Sequence, residues 1–365
     1  MRRANRTGPL GAAVVAMAAV TVAVGAARWN TGSDAGPVPV AATETTTTPP
    51  PTTTSPPTTT SVEDRGSAMS RAEDIIGLVE PLREADAPDP FVAVDRDQAW
   101  LFTTNTGDGN VPAWTWRDGE LVGTDALPTL PLWAVPGSTW APAVTHDPGG
   151  GWTLAFTAAT YDGHQCIGVA TSPDLDGPYR PRNEPLVCDV ERGGSIDPSF
   201  VDDGNGTLWL LYKDDGNCCG LPTVIRSVPL TDDGLALAGE PRELVRADRE
   251  WEGGLVEGPT MNLVDGRWLL LYSANRWDGD DYAVGAAWCD SPAGPCTKQD
   301  EPVLSAGPGM DGPGGTEFVG RSSVVVFHAW PEEEVGYSSG ASRGLRLGRV
   351  ETDSTGNAVI RTPRT

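Results

Sequence analysis

Three carboxylates, Asp89, Asp197 and Glu257, each precede a proline by one or two residues and then an apolar, strand-like run. Cleavage of a glycosidic bond needs a protonated carboxyl group at the leaving oxygen and a carboxylate that activates water or attacks the sugar. If the three converge, they could do this chemistry, with the third carboxylate raising the pKa of the acid and orienting it. A single Asp-Pro pair is by itself more typical of a turn that opens a strand.

A repeat gives these carboxylates a common place in the fold. An apolar run, a Gly- and Asp-rich turn and a second run rich in aromatic or apolar residues recur five times. The clearest copy is the β-hairpin of residues 193–212, with Asp-Gly-Asn-Gly at 203–206. The units are marked by five residues spaced 51 to 60 positions apart: Asp89, Trp140, Asp197, Glu257 and Glu317. This period predicts an all-β fold, a five-bladed β-propeller.

In a propeller the equivalent residues of each unit begin the innermost strands and lie near the central axis. Asp89, Asp197 and Glu257 are therefore predicted to meet at one mouth of the channel. Trp140 is predicted to offer a stacking platform for a sugar ring, because its marker position faces the axis. Glu317 is an additional carboxylate near the mouth that either faces a sugar hydroxyl or is solvated. Arg276 follows a strand end and either donates to sugar hydroxyls or is a surface arginine.

Charge restricts the partners. The 365-residue chain has a net charge of -24 and a sequence pI near 4.4. This balance argues against nucleic acid and anionic membrane surfaces, and it is compatible with a neutral polysaccharide. We expect an oligo- or polysaccharide substrate, a monomeric protein, and membrane contact only through an N-terminal anchor.

The N-terminal residues are expected to lie outside the folded domain. Residues 1–29 combine a basic start with an uncharged, apolar stretch at 8–27 and are typical of an export signal or an uncleaved membrane anchor. Residues 30–71 are rich in Thr and Pro and predict a disordered spacer. The propeller is assigned to residues 72–365. We therefore expect a protein that is secreted, or tethered to the outer face of the cell membrane.

The six cysteines all lie inside the propeller domain, and export permits disulfides. Cys289 and Cys296 close a short loop and form the clearest pair. Cys166 and Cys188 are predicted to join neighbouring strands of the second blade. Cys218 and Cys219 then remain as an adjacent pair, either bonded to each other or free. A zinc site is disfavoured by the cysteine spacing and the scattered histidines.

Five motifs match one known family, and they extend over about residues 88–350: Asp89-Pro90, Trp140-Ala141-Pro142, Ser195-Ile196-Asp197-Pro198-Ser199-Phe200, Glu257-Gly258-Pro259 and Phe327-His328-Ala329-Trp330. With them the chain resembles glycoside hydrolase family 43, five-bladed propeller enzymes that act on arabinofuranosides and xylosides. The resemblance implies that Asp89 is the general base, that Glu257 is the general acid, and that Asp197 tunes and orients the acid. It also implies inversion at the anomeric carbon.

The same resemblance implies a metal and no organic cofactor. His328 matches a histidine that in many members lies in the central channel and coordinates a calcium ion or its water shell. Because histidine is an unusual direct ligand for this hard cation, we expect one structural Ca²⁺ near the axis, held through water. The alternative is a core histidine whose hydrogen bonds are made within the protein.

The resemblance favours an inverting glycosidase that removes terminal α-L-arabinofuranosyl residues from arabinan- or arabinoxylan-type glycans. The alternatives within the family are a β-xylosidase and an endo-arabinanase. Exo or endo action depends on whether loops block one side of the pocket, which the sequence does not reveal. Two alternatives come from other classes: a glycan-binding propeller without catalysis, and a cell-surface scaffold in which the carboxylates are solvated turns.

Overall fold

The computed structural model describes residues 75–363 except 76, 97 and 148. Within them, twenty strands form five four-stranded sheets, and each sheet is an antiparallel meander of consecutive strands. The predicted all-β, five-bladed propeller is confirmed. The proposed signal or anchor and the Thr/Pro-rich spacer lie outside the described residues. No helix of the described residues is long and apolar enough to cross a membrane.

The first three blades follow one another along the chain. Blade I consists of β1 (Phe91–Asp95), β2 (Gln98–Phe102), β3 (Pro112–Arg117) and β4 (Glu120–Asp125). Blade II consists of β5 (Ala134–His146), β6 (Trp152–Thr160), β7 (Gln165–Ser172) and β8 (Arg180–Pro181). Blade III consists of β9 (Ser195–Asp202), β10 (Leu208–Asp214), β11 (Val224–Pro229) and β12 (Arg242–Arg246).

The last two blades and the short helical elements complete the domain. Blade IV consists of β13 (Val256–Val264), β14 (Arg267–Ala274), β15 (Ala283–Cys289) and β16 (Cys296–Lys298). Blade V consists of β17 (Asp311–Phe318), β18 (Val324–Trp330), β19 (Gly344–Thr352) and β20 (Ala358–Arg361). Residues 75 and 77–82 are helical. In the part of the chain that the structure describes, four 3-10 turns lie at Val190–Arg192, Gly216–Cys219, Glu250–Glu252 and Tyr337–Ser339.

The first strand of each blade lies on the inside of the ring, where β1, β5, β9, β13 and β17 contact one another in turn and β17 returns to β1. The core lies between blades, with one apolar cluster at each interface. Strand alternation explains this arrangement: on β10, Leu210 and Tyr212 pack toward blade II, whereas Leu211 packs toward blade IV. The ring closes where β1 and β2 meet β18 and β19, beneath the helical residues near Leu78.

A β-bulge interrupts the innermost strand of blades II to V at the same point. In each bulge the innermost strand advances by three residues while its partner strand advances by two. The bulges span Trp140 to Ala143, Ile196 to Ser199, Glu257 to Thr260, and Gly314 to Glu317. The second residue of each bulge has a positive φ between 44° and 58°, in the series Ala141, Asp197, Gly258 and Gly315. Asp89 has φ 50° just before β1 and completes the series.

The bulges change the register that the sequence markers assumed. Aligned on the positive-φ residue, Asp89 and Asp197 are equivalent. Trp140 and Glu257 come one residue earlier, and Glu317 comes two residues later. Because a bulge re-aims the side chains on either side of it, residues at both bulge positions can face the same space. The five markers are thus close together without being strictly equivalent.

Three disulfides lie within the described domain. They join Cys166 to Cys188, Cys218 to Cys219, and Cys289 to Cys296. The first and third pairs are confirmed as predicted. The adjacent cysteines, which the sequence left open, are bonded to each other in the 3-10 turn Gly216–Cys219.

Candidate active site

A pocket of about 470 Å³ lies where the innermost strands converge. Five of the seven predicted site residues line it: Asp89, Trp140, Asp197, Glu257 and Glu317. Its volume falls in the range of roughly 300–1,000 Å³ that is usual for small-molecule sites. The structure therefore brings the three carboxylates into one cavity, together with an aromatic side chain on its wall.

Asp89 is held from several sides. The hydroxyl of Thr104 donates to Asp89 Oδ2 at 2.6 Å, and a guanidinium nitrogen of Arg343 lies 3.8 Å from Oδ1. The backbone N–H of Asp89 donates to Nδ1 of His328 at 3.0 Å. The Asp89 side chain is still 27% exposed, and this exposure is toward the pocket that it lines. The carboxylate is fixed in place and remains accessible to a water or a substrate.

Asp197 connects blades III and IV. Its Oδ2 accepts a hydrogen bond of 2.9 Å from the backbone N–H of Gly258, the residue after Glu257. Its own N–H donates to the hydroxyl of Thr157. Burial, and next the neighbouring Glu257 charge, raise the pKa of Asp197 to about 7. This carboxyl group is therefore able to hold a proton close to neutral pH.

Glu257 is 9% exposed, and both its carboxylate oxygens are bonded. Lys213 Nζ donates to Oε2 at 2.9 Å, and the hydroxyl of Tyr282 donates to Oε1 at 2.9 Å. Lys213 comes from β10, at the strand position that pairs with the residue before Asp197. Residues of two blades, Lys213 of blade III and Tyr282 of blade IV, thus orient the Glu257 side chain.

Glu317 comes two residues after the positive-φ residue of its bulge, so it lies further along its strand than Asp197 and Glu257 lie along theirs. Its oxygens accept hydrogen bonds from Thr260 Oγ1 at 2.5 Å and from Ser199 Oγ at 3.1 Å, and these hydroxyls follow the bulges of β13 and β9. Besides the main pocket, Glu317 lines a second cavity of about 160 Å³. Burial raises the pKa of Glu317 to about 8 despite these hydrogen bonds.

His328 is fully buried and is not among the residues that line the pocket. The ring of Tyr282 stacks on it, with the ring centroids 6.0 Å apart. Burial, and next the Arg343 guanidinium, hold the pKa of His328 well below its usual value, so the ring is neutral. Since Nδ1 accepts the Asp89 N–H, the hydrogen-bond network assigns the ring proton to Nε2. Nε2 has no hydrogen-bond partner among the described residues.

Arg276 does not line the pocket. Its side chain is 75% exposed and forms an ion pair of 2.9 Å with Asp278. Of its two sequence interpretations, this position fits the surface arginine.

Comparison with known proteins agrees with this geometry. The sequence profile described as "Glycosyl hydrolases family 43" matches residues 79–356, more than half of the chain. The chain belongs to glycosyl hydrolase family 43. The resemblance seen in the sequence motifs is thereby confirmed, and the protein is a family 43 glycoside hydrolase.

Proteins similar to this family 43 chain have names that indicate different specificities. The chain is 26% identical to the "Beta-D-galactofuranosidase xynD" of Aspergillus niger over 263 residues, which is 66% of this chain and 73% of that protein. A solved "Endo-1,4-beta-xylanase" of Bacteroides thetaiotaomicron is 26% identical, with a TM-score of 0.63 over 76% of this chain and 95% of that one. An "alpha-L-arabinofuranosidase" of Lactobacillus brevis, 17% identical, shares the fold with a TM-score of 0.67 over 80% and 98% of the two chains.

Several residues of the family 43 site were missed in the sequence. Lys213 and Tyr282 bind Glu257, and Arg343 lies beside Asp89. Lys213 lies near the end of the second strand β10, and Tyr282 and Arg343 directly precede the third strands β15 and β19, where the repeat has no marker. One signal was available for Lys213: a lysine at the end of the apolar run 208–212 is costly to bury unless a carboxylate pairs with it.

Proposed function

We propose that this family 43 enzyme hydrolyses terminal α-L-arabinofuranosyl residues of arabinan- or arabinoxylan-type glycans, with inversion at the anomeric carbon. One observation carries the proposal: Asp89, Asp197 and Glu257, which come from three different blades, line a single pocket. Inverting hydrolysis needs an acid and a base on opposite sides of the sugar, with room for a water beside the base.

Each carboxylate has surroundings that suit one role. Asp89, anchored by Thr104 and partly exposed, would activate the water as general base. Glu257, fixed through both oxygens, would protonate the leaving oxygen as general acid. Asp197 binds the backbone next to Glu257, so it would tune the ionisation of the acid and hold its strand in place. Trp140, on the pocket wall, would stack on the sugar ring.

A β-D-galactofuranosidase is the second candidate, favoured by the match to the Aspergillus niger protein of that name. β-D-Galactofuranose and α-L-arabinofuranose have the same ring configuration and differ by one hydroxymethyl group beyond the ring. One pocket can therefore suit both rings, and its room for the additional group would decide between them.

Aryl glycosides test the substrate class. Initial rates would be measured on the p-nitrophenyl α-L-arabinofuranoside, β-D-galactofuranoside and β-D-xylopyranoside, followed by product analysis on arabinan, arabinoxylan and xylo-oligosaccharides. We expect the highest kcat/KM on the arabinofuranoside and release of single arabinose units from chain ends. Preference for the galactofuranoside would establish the second candidate. Preference for the xyloside, or internal cleavage of arabinan, would contradict the proposed specificity.

The leaving group separates the roles of the two main carboxylates. Glu257→Gln is expected to lower kcat by roughly 10²–10⁴-fold on a substrate whose leaving group needs a proton. The loss should be much smaller on a 2,4-dinitrophenyl glycoside, whose leaving group departs unaided. Asp89→Asn should be equally impaired on both substrates, because the water still needs a base. Full activity of Glu257→Gln on both substrates would refute the assignment.

We also propose that a calcium ion is held beside His328 through water. The buried, unpartnered Nε2 supports this, because an N–H there can donate to a water but has no free lone pair for the metal. No group of three or more His, Cys, Asp or Glu side chains in the described residues is arranged to hold a metal. A bound calcium would supply positive charge near the carboxylates. Metal analysis of the purified protein, and its thermal melting with and without a chelator, test the proposal.

We propose further that the enzyme acts outside the cytoplasm, either secreted or tethered to the outer face of the membrane. The three disulfides support an oxidising compartment. Fractionation of cells that express the full chain, with sequencing of the mature N-terminus, would distinguish a cleaved signal from a retained anchor. Recovery of the protein in the cytoplasm would contradict the proposal.

A further inference from the structure

Lys213 is a buried cation among the pocket carboxylates. It is 1% exposed, although lysine is seldom fully buried unless it is paired. Nζ donates to Glu257 Oε2 at 2.9 Å and lies 3.4 Å from Asp215 Oδ1. Burial opposes its charge, but the nearby carboxylates, with Glu257 first, outweigh burial and raise the pKa of Lys213. The ammonium group therefore remains charged beside Glu257.

Asp215 is held in position by the backbone. Its N–H donates to the carbonyl of Gly194 at 3.0 Å, and its carbonyl accepts from the N–H of Cys218 at 3.3 Å. A Cβ at Gly193 would come within 2.5 Å of the Asp215 carbonyl, so this approach requires glycine. The backbone of Asp215 thus belongs to a closely packed turn, which fixes the point from which its carboxylate reaches Lys213.

The groups that face Glu257 come from every element around it. Those that interact with it belong to blades III and IV: Asp197, Lys213, Asp215, Arg276 and Tyr282. Asp89 and Arg343, from blades I and V, lie beside each other in the lining of the same pocket. Of the cations, Lys213 alone among the described residues makes a direct ion pair with Glu257. Arg343 lies beside Asp89, and Arg276 is exposed and paired with Asp278. Lys213 is thus the cation best placed to act on Glu257.

We infer that Lys213, held by Asp215, positions the Glu257 carboxyl group and sets the pH above which the enzyme loses its acid. The inference rests on the proposed role of Glu257. Lys213 does not need to touch the substrate. It fixes one oxygen of Glu257 while Tyr282 fixes the other, and its positive charge offsets the negative charge of the carboxylates around it. Asp215 offsets part of the Lys213 charge and so works in the opposite sense.

Two charge-removing variants should move the pH profile in opposite directions. Lys213→Met removes the cation, so the alkaline limb of kcat/KM should move to higher pH by about 1 to 3 pH units. Its kcat should fall on the order of 100-fold, because the acid is no longer held in place. Asp215→Asn removes the carboxylate that offsets part of the Lys213 charge, so the alkaline limb should move to lower pH. Lys213→Arg keeps the charge and should keep the limb near that of the wild type.

A matched control separates this role from a structural one. Lys298 forms a similar buried pair with Glu252 at 2.6 Å, away from the residues that line the pocket. Lys298→Met should lower the melting temperature without moving either limb. If Lys213→Met does not fold, Asp215→Asn still decides the question, since the inference moves its alkaline limb to lower pH and a purely structural role leaves that limb in place.

The outcomes distinguish this inference from the proposed function. An alkaline limb of Asp215→Asn that coincides with that of the wild type would overturn the inference, and so would an unmoved limb in folded Lys213→Met. The proposed function would still stand in that case, provided that Glu257→Gln loses activity as described. Full activity of Glu257→Gln would instead remove the proposed function itself.

Discussion

Glu317 shows how a single buried carboxyl group can make folding depend on pH. Burial raises its pKa from an ordinary 4.5 to about 8, so the folded protein retains a proton that the unfolded chain releases. The stabilising contribution of that proton is complete below the unfolded pKa. It is lost as the pH rises from about 4.5 to about 8. Asp197, with a pKa raised to about 7, adds to the same trend.

Glu317→Gln is therefore expected to flatten the pH dependence of stability. The amide is neutral at every pH and can still bond to the hydroxyls of Ser199 and Thr260. Between pH 5 and 8, the melting temperature should fall less steeply in the variant than in the wild type, so the variant gains relative stability toward pH 8. Calorimetric melting across this range measures the effect. Equal slopes in the two proteins would show that Glu317 is ionised in the fold.

At the residue scale, the sequence revealed the carboxylates but not their partners. Asp89, Asp197 and Glu257 each precede a recurring proline, so the repeat marks them. Lys213 and Arg343 have no such marker, because Lys213 lies near the end of a second strand and Arg343 just before a third strand, outside the first-strand motif that recurs. Arg276 lies just after the end of β14, and Lys213 lies near the end of β10. The Arg276 side chain is nevertheless exposed to solvent. Sequence position alone does not separate these cases.

At the scale of the elements, the bulges in the innermost strands arrange the site. Gly315 is the positive-φ residue of the blade V bulge, with φ 58°. A Cβ there would lie 2.6 Å from Nδ1 and Cε1 of His328 and 3.1 Å from Oδ1 of Asp89. The bulge of blade V thus permits the close approach of Asp89 and His328.

Gly315→Ala should consequently lower kcat by displacing Asp89, in addition to its backbone cost. Gly320→Ala is a matched control, because Gly320 has a similar φ of 54° and no atom within 4 Å of the Cβ position. We expect both variants to lose some stability and only Gly315→Ala to lose kcat, by about tenfold or more, since small displacements of reacting groups are costly. Similar kinetics in the two variants would contradict this account of the bulge.

The bulge register could have been read from the sequence only in part. Asp89, Ala141, Asp197 and Gly258 each stand directly before a proline, so alignment on the proline gives the observed equivalence. Alignment on the carboxylates gives a register that is one residue off at Glu257. In blade V the proline is replaced by Thr316, and nothing in the local pattern fixes the position. The sequence markers therefore predict Glu317 at the mouth, whereas in the structure it lies two residues beyond the positive-φ residue of its strand.

At the scale of the whole molecule, ring closure depends on residues outside the repeat. The blades are contiguous in sequence, so no strand is exchanged between the first and last blades. Blades I and V meet instead through an apolar cluster that includes Leu78 of the N-terminal helical residues, together with Leu101 and Val326. Backbone bonds add to it, such as Ala87 N–H to the carbonyl of Arg343. The helical residues thus hold together the two blades that supply Asp89 and His328.

Leu78→Ala is expected to lower the free energy of unfolding by about 2–5 kcal/mol, the usual cost of truncating a fully buried leucine. Leu132→Ala removes the same atoms from a side chain that is 85% exposed, and it should change stability by less than about 0.5 kcal/mol. Denaturant unfolding of both variants measures the difference. Equal stabilities would show that the helical residues do not hold the ring closed.

The stereochemistry of hydrolysis tests the central claim most directly. Proton NMR, recorded before the released sugar equilibrates, identifies the anomer formed first from the aryl furanoside that the enzyme cleaves fastest. If Asp89 activates water on one side of the ring while Glu257 protonates the leaving oxygen on the other, an α-L-arabinofuranoside must release the β-anomer first. First appearance of the α-anomer would mean that a carboxylate attacks the sugar, and it would contradict the roles assigned to Asp89 and Glu257.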